Sequence, residues 1–246
     1  RHLCQKSVKG GLGLEDSLIR CGKGEDLVML HGYLSCKESF YHQIKYLSNF
    51  YKVTAFDFRG MGKSAPLAQP WSVEDYADHT RRLLDELGVR RPRLLAHSFG
   101  GRVAIRLLAD GFPAHSALLT GCAGVPPKRG LRYRLRVKTY RFVRKIAPRY
   151  AEKKFGSAEY RSLSPVMKES FKKIVGEDLT PLLPRIRVPV LYVFGEKDTA
   201  TPLWMARVLR EKTPHSELVV MRGCTHFCFC EKWEEFNAVA REFFRC

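Results

Sequence analysis

The sequence predicts an α/β fold: a mostly parallel sheet covered by helices on both faces, interrupted by one basic helical insert. Three observations carry that expectation. Short apolar runs bounded by turn residues alternate with longer amphipathic ones, the pattern of right-handed βαβ crossovers. Charge is uneven, because +13 of a formal +18 falls between Pro126 and Arg187. The stretches on either side of that basic segment continue the same alternation, so the segment reads as an insertion into one fold. At roughly 150 residues per domain, the length allows one or two domains. A hydrophobic share of 45% supports a sizeable core and excludes wholesale disorder.

The elements follow in order. Residues 26–31 and 51–56 read as buried strands, short, apolar and flanked by turn residues. Ser72 opens a helix with Asp75 three residues on, a near capping box, and Gly88 closes it after Tyr76, Leu83, Leu84 and Leu87. Residues 93–97 are a further strand and 101–109 a helix. Within the insert, Leu131, Leu135, Phe142 and Ile146 form a helical stripe that Pro148 would stop. Residues 131–137 also alternate with period 2, but the length of the pattern favours the helix. Short helices are expected at 167–175 and around 179–183. Beyond the insert come a strand at 188–194, a helix at 203–212, a strand at 217–221 and a last helix at 231–244. This divides the chain into a core, residues 1–123 and 188–246, and a helical lid, residues 124–187.

Several classes are excluded. Residues 111–127 form the longest run without Lys, Arg, Asp or Glu, and Pro113, Pro126 and Pro127 prevent it from spanning a bilayer as one helix. Arg1 to Lys9 has no apolar stretch and does not read as a signal peptide. The eight cysteines are scattered in a chain too long to need disulfide staples, so free thiols in a reducing cytoplasm are expected. No nucleic-acid-binding module accompanies the positive charge. The basic insert reads as solvated helix faces, with anionic substrates or an anionic membrane surface as the alternative partners.

In an open parallel sheet, ligands gather beyond the carboxyl ends of the strands. Three loops there carry chemistry. Ala96-His97-Ser98-Phe99-Gly100 lies between a strand and a helix and matches the nucleophile elbow, small-x-Ser-x-small. Asp198 follows the strand ending at Phe194, and His226 follows the strand ending near Met221. The order Ser98, Asp198, His226 is the one a catalytic triad takes on this type of sheet. Glu196 is the rival acid, ranked behind Asp198 because it comes earlier in its turn. Two other patterns are decoys. Gly60 to Ala65 fits a dinucleotide fingerprint, but Pro66 follows at once and no helix starts there to receive a phosphate. Cys224, His226, Cys228 and Cys230 are soft ligands at a spacing unlike that of zinc sites, so no metal is expected.

With these loops the chain resembles the α/β-hydrolase superfamily over nearly its whole length. His31-Gly32-Tyr33-Leu34 resembles the family's HG loop after the third strand, and Asp57-Phe58-Arg59-Gly60-Met61-Gly62-Lys63-Ser64 its D-x-R-G-x-G-x-S loop after the fourth. Ala96 stands where the family usually has glycine. The resemblance implies backbone N–H donors at Tyr33 and Phe99 for the oxyanion hole, and structural roles for Asp57, Arg59 and Ser64. It also implies a serine hydrolase cleaving small-molecule carboxylic esters without a cofactor. A lactonase, or a C–C bond hydrolase gripping an acidic substrate, is the alternative, and a non-catalytic ligand-binding protein a more distant one. Acyl chain length and oligomeric state are not legible.

Overall fold

The buried strands assemble as their apolar runs require. The computed structural model describes residues 5–9, 15–127 and 162–245. Its strands are β1 (Gln5–Lys9), β2 (Glu15–Cys21), β3 (Asp26–Leu30), β4 (Lys52–Phe56), β5 (Arg93–His97), β6 (Ser116–Thr120), β7 (Val190–Gly195) and β8 (Ser216–Met221). They form one sheet in the order β1-β2-β4-β3-β5-β6-β7-β8. The pairs β1–β2 and β2–β4 are antiparallel, and every later pair is parallel.

Helices cover both faces. They are α1 (Tyr41–Leu47), α2 (Val73–Glu86), α3 (Phe99–Ala109), α4 (Pro165–Gly176), α5 (Leu203–Lys212), α6 (Cys228–Glu231) and α7 (Trp233–Arg245). Side chains alternate across a strand, so the strands from β2 to β8 feed two cores. Val28 and Leu30 of β3 pack with Tyr76 of α2, Val103 of α3 and Leu209 of α5. Leu27 and Met29 face the other way, toward Ile44 of α1, Phe229 of α6 and Phe236 and Phe244 of α7.

The capping box at α2 forms as expected: the Asp75 N–H donates to Ser72 Oγ at 3.2 Å, and the Ser72 N–H to Asp75 Oδ2 at 2.7 Å. Such a cap contributes about 1 kcal/mol. In the insert, α4 matches the expected 167–175 helix, with Ser164 as its cap and Pro165 in its first turn. It sits against the core through the Trp71 N–H, which donates to Ser170 Oγ at 2.8 Å, and Lys173 Nζ, which donates to Pro70 O at 3.0 Å.

Some expectations change. The region 179–183 contributes only a 3-10 turn at Leu183–Arg185, where Pro184 removes a donor. The last helix is two, α6 and α7, because Lys232 leaves helical geometry at φ −127°, ψ 56°. Helix α3 begins at Phe99, two residues earlier than its glycines suggested. Strands β1, β2 and β6 and helix α1 were not read from the sequence. The helical stripe from Leu131 to Ile146 lies outside the described residues.

Candidate active site

The elbow is built where β5 ends. Ser98 has φ 51° and ψ −105°, a conformation that costs an L-residue on the order of 1–3 kcal/mol. Its neighbours hold it there: the Ser98 N–H donates to Thr120 O at 3.0 Å, and Ser98 O accepts from the N–H groups of Gly101 at 3.1 Å and Ala123 at 3.2 Å. Gly100 must be glycine, since a Cβ there would lie 2.1 Å from Leu30 O. The strained turn delivers Ser98 to the start of α3, where the N–H groups of a helix's first residues have no acceptors within the helix body.

The Tyr33 loop after β3 lies beside α3, with the Tyr33 ring 5.5 Å from the Phe99 ring. Among the described residues, neither the Tyr33 N–H nor the Phe99 N–H has an acceptor. The Tyr33 hydroxyl donates to Met167 O in α4 at 3.2 Å, which ties this loop to the insert. Burial pushes its pKa upward.

On the other side of the sheet centre, β7 delivers Asp198 and β8 delivers His226. The His226 Nδ1–H donates to Asp198 Oδ2 at 2.8 Å. A carboxylate only accepts, so this bond places a proton on Nδ1 and makes Nε2 the acceptor nitrogen of the neutral ring. Thr201 donates its hydroxyl to the same Oδ2 at 2.8 Å, while the Ala200 and Thr201 N–H groups donate to Oδ1, each at 2.8 Å. Burial alone would raise the Asp198 pKa, but the hydrogen bonds from His226 and Thr201 outweigh it and hold the carboxyl below its ordinary range. The hydroxyl of Ser98 makes no hydrogen bond to the His226 ring among the described residues, so the structure joins two of the three expected groups directly. Glu196 turns elsewhere, accepting from the Gly223 N–H at 2.8 Å at an exposed position.

The decoys resolve in physical terms. Residues 60–65 close a turn, with the Gly60 N–H donating to Ala65 O at 2.9 Å, and no helix begins before Val73. Cys228 Sγ lies 3.3 Å from Thr120 Oγ1, and Cys230 Sγ donates to Ser39 O at 3.7 Å, so these thiols diverge. Among the described residues no cluster of three or more His, Cys, Asp or Glu is gathered to hold a metal.

Two residues were missed. Thr201 was legible in principle, because an Asp followed three residues on by Thr is the spacing of a side chain closing its own turn. His97 occupies the variable position of the elbow, where no spacing rule points to it. It is buried, and Nε2 donates to His226 O at 3.2 Å.

Comparisons with known proteins bear on the family and the fold. The family model described as "Alpha/beta hydrolase family" matches residues 27–239. The 2-hydroxy-6-oxononadienedioate/2-hydroxy-6-oxononatrienedioate hydrolase of a Pseudomonas species is 26% identical over 96% of this chain and 92% of its own length. The pimeloyl-(acyl-carrier protein) methyl ester esterase of Neisseria meningitidis (strain FAM18) is 29% identical over 87% of this chain and 91% of its own. Among solved structures, the enol-lactonase of Burkholderia xenovorans LB400 shares the fold at a TM-score of 0.76, with 21% identity over 97% of this chain and 99% of that one. With a family match that takes in every strand from β3 to β8 and all three candidate loops, the chain belongs to the alpha/beta hydrolase family.

Proposed function

We propose that the chain is a serine hydrolase of small-molecule carboxylic esters, with Ser98 as nucleophile, His226 as base and Asp198 as the acid that orients it. The observation that carries this reading is the 2.8 Å bond between His226 Nδ1 and Asp198 Oδ2 at the same sheet edge as the strained Ser98. Ser98 Oγ attacks the carbonyl carbon as its proton passes to His226 Nε2. The N–H groups of Tyr33 and Phe99 hold the oxyanion. Collapse breaks the C–O bond, and His226 gives its proton to the leaving alkoxide. Water then attacks the acyl-serine, its proton going to His226 and on to Ser98 as the acid departs. No cofactor enters these steps.

In this reading residues 124–187 act as a cap on the core formed by 1–123 and 188–246, with α4, Glu177 and Arg185 among its described contacts. The Tyr33–Met167 bond joins the two, beside those of Trp71 to Ser170 and of Lys173 to Pro70. Among the described residues no helix is long and apolar enough to cross a membrane. Cys36, Cys122, Cys224, Cys228 and Cys230 are free thiols, which supports a reducing, cytoplasmic setting.

A second reading, cleavage of a C–C bond or a lactone in an acidic substrate, uses the same Ser98. It draws support from the 26% identity to the Pseudomonas dienedioate hydrolase, with the positive charge of the insert as its carboxylate grip. A fluorophosphonate label mapped by peptide sequencing tests the shared mechanism: it should fall on Ser98 alone, and a label elsewhere, or none, sinks it. A panel of acyl esters, enol-lactones and dienoates then separates the two readings by relative kcat/KM.

A further inference from the structure

His97 lies under the whole site. Its ring centroid is 4.7 Å from that of His226, 4.7 Å from Phe229 and 5.3 Å from Phe227. Its Nδ1 edge abuts Gly32, where an added Cβ would come within 2.9 Å of it. Its Nε2–H donates to the main-chain carbonyl of His226, and among the described residues no other donor reaches that oxygen. The residue that follows it is Ser98, and the one that follows Gly32 is Tyr33. A pocket lined by aromatic rings would accept phenylalanine at least as well for packing alone. An imidazole buried there costs free energy unless it is hydrogen-bonded.

We infer that His97 is a positioning residue: through its hydrogen bond to His226 O and its contact with Gly32, it sets the base and the oxyanion loop against Ser98. The role rests on the hydrolase reading above. Burial holds its pKa down to about 3, so the ring is neutral under working conditions and keeps the single donor that the carbonyl needs.

Two variants divide the ring from the donor. His97→Phe keeps an aromatic ring and loses the N–H, whereas His97→Gln loses the ring and keeps an N–H able to reach the same carbonyl. Each is assayed per Ser98 labelled by fluorophosphonate, so that unfolded protein does not count, with Tm measured alongside. For alkyl esters, whose leaving group needs a proton from His226, His97→Phe should lower kcat roughly tenfold or more with KM nearly unchanged. For p-nitrophenyl esters, whose leaving group needs no proton, acylation should suffer less. His97→Gln should restore much of the lost kcat even where its Tm is the lower of the two. The role is overturned if His97→Phe keeps its kcat per labelled site, if both ester types lose equally, or if Gln is the worse variant. Should neither variant fold, nitrogen NMR of the wild-type ring decides: a neutral Nε2–H tautomer supports the bond, and an Nδ1–H tautomer refutes it. If the wild type takes no label at Ser98, the hydrolase reading fails first and the positioning role with it.

Discussion

Two regions of this molecule place an aspartate and a histidine at the carboxyl ends of parallel strands, and they bond them in opposite ways. Beyond β3 and β4, Asp57 and His31 are both fully buried, with His31 Nε2 4.0 Å from Asp57 Oδ1. Beyond β7 and β8, Asp198 and His226 are joined at 2.8 Å with part of the imidazole exposed. The difference lies in which hydrogen-bonding positions are already filled. His31 spends both nitrogens, Nδ1–H donating to Gly32 O at 2.7 Å and Nε2 accepting from the Phe58 N–H at 3.0 Å. Asp57 is closed by the Lys37 N–H at 2.7 Å, Lys37 Nζ at 2.8 Å and the Lys63 N–H at 2.9 Å. His226 keeps Nε2 without a partner among the described residues. A proton can move only where a nitrogen is left open, so the first pair is closed to proton transfer and the second leaves one nitrogen open, as the proposed mechanism needs.

The sharpest test of that contrast lies at the second pair. Asp198→Asn should lower kcat by about 10⁴, because the amide stabilises the wrong imidazole tautomer and no imidazolium forms beside a carboxylate. Stability should change far less, since an amide oxygen at the Oδ1 position keeps the bonds from the Ala200 and Thr201 N–H groups. A variant that loses its fold together with its activity would make Asp198 a structural residue like Asp57.

Asp57→Asn should do the reverse. Lys37 is buried and its ammonium bonds Asp57, Ser17 and Glu38, so removing the Asp57 carboxylate takes away its buried counter-charge and leaves only the partly exposed Glu38. Breaking one side of such a buried pair costs about 3–5 kcal/mol. Urea unfolding should record that loss, while kcat per labelled Ser98 stays within about threefold of wild type. A large fall in kcat per site with stability intact would erase the contrast.

The legibility of the two regions follows the same physics. Motifs for Asp57, Ser98, Asp198 and His226 stand out because each sits in a loop that leaves an apolar strand and carries glycine or other turn residues. The strands of the parallel core were legible because burial on both faces makes them continuous apolar runs. Strands β1 and β2 were not, since Gln5-Lys6-Ser7-Val8-Lys9 carries too few apolar residues to register, and it pairs only at the antiparallel edge. Strand β6 was hidden within a charge-free run where strand and loop share one composition. His97 was invisible as a site residue because its partner is a main-chain carbonyl, which no side-chain pattern reports.

Acid should separate the regions by a smaller effect. Burial lowers the pKa of His31 from 6.5 to about 4 and that of His97 to about 3. The unfolded chain therefore takes up protons on these residues below about pH 6.5 that the folded chain refuses. Stability is full above that pH and falls on acidification toward pH 4. Each buried histidine contributes a loss on the order of 2 kcal/mol by pH 5. Asp57 and Asp198, held below their ordinary range, add their own loss only at lower pH. Urea midpoints measured at pH 7 and pH 5 check this, and a flat profile would mean that the two rings are not held neutral by burial. His97→Gln should halve the slope and leave the His31 share.

The smallest expected effect belongs to Glu196, two residues before Asp198 and the only other acid in its loop. Glu196 Oε2 accepts from the Gly223 N–H, while its own N–H donates to Met221 O at 3.0 Å, so it links the β7 loop to the one carrying His226. Glutamine preserves an acceptor oxygen for Gly223 and removes only a charge that water already screens. Glu196→Gln should therefore change kcat by less than about tenfold and leave the fluorophosphonate rate close to that of wild type. If Glu196→Gln instead proves more damaging than Asp198→Asn, the acid of the site is Glu196. The loop after β7 must then rearrange before catalysis, so that the carboxylate bonded to Gly223 swings to His226 and Asp198 takes over the closed, structural role that Asp57 fills beyond β4.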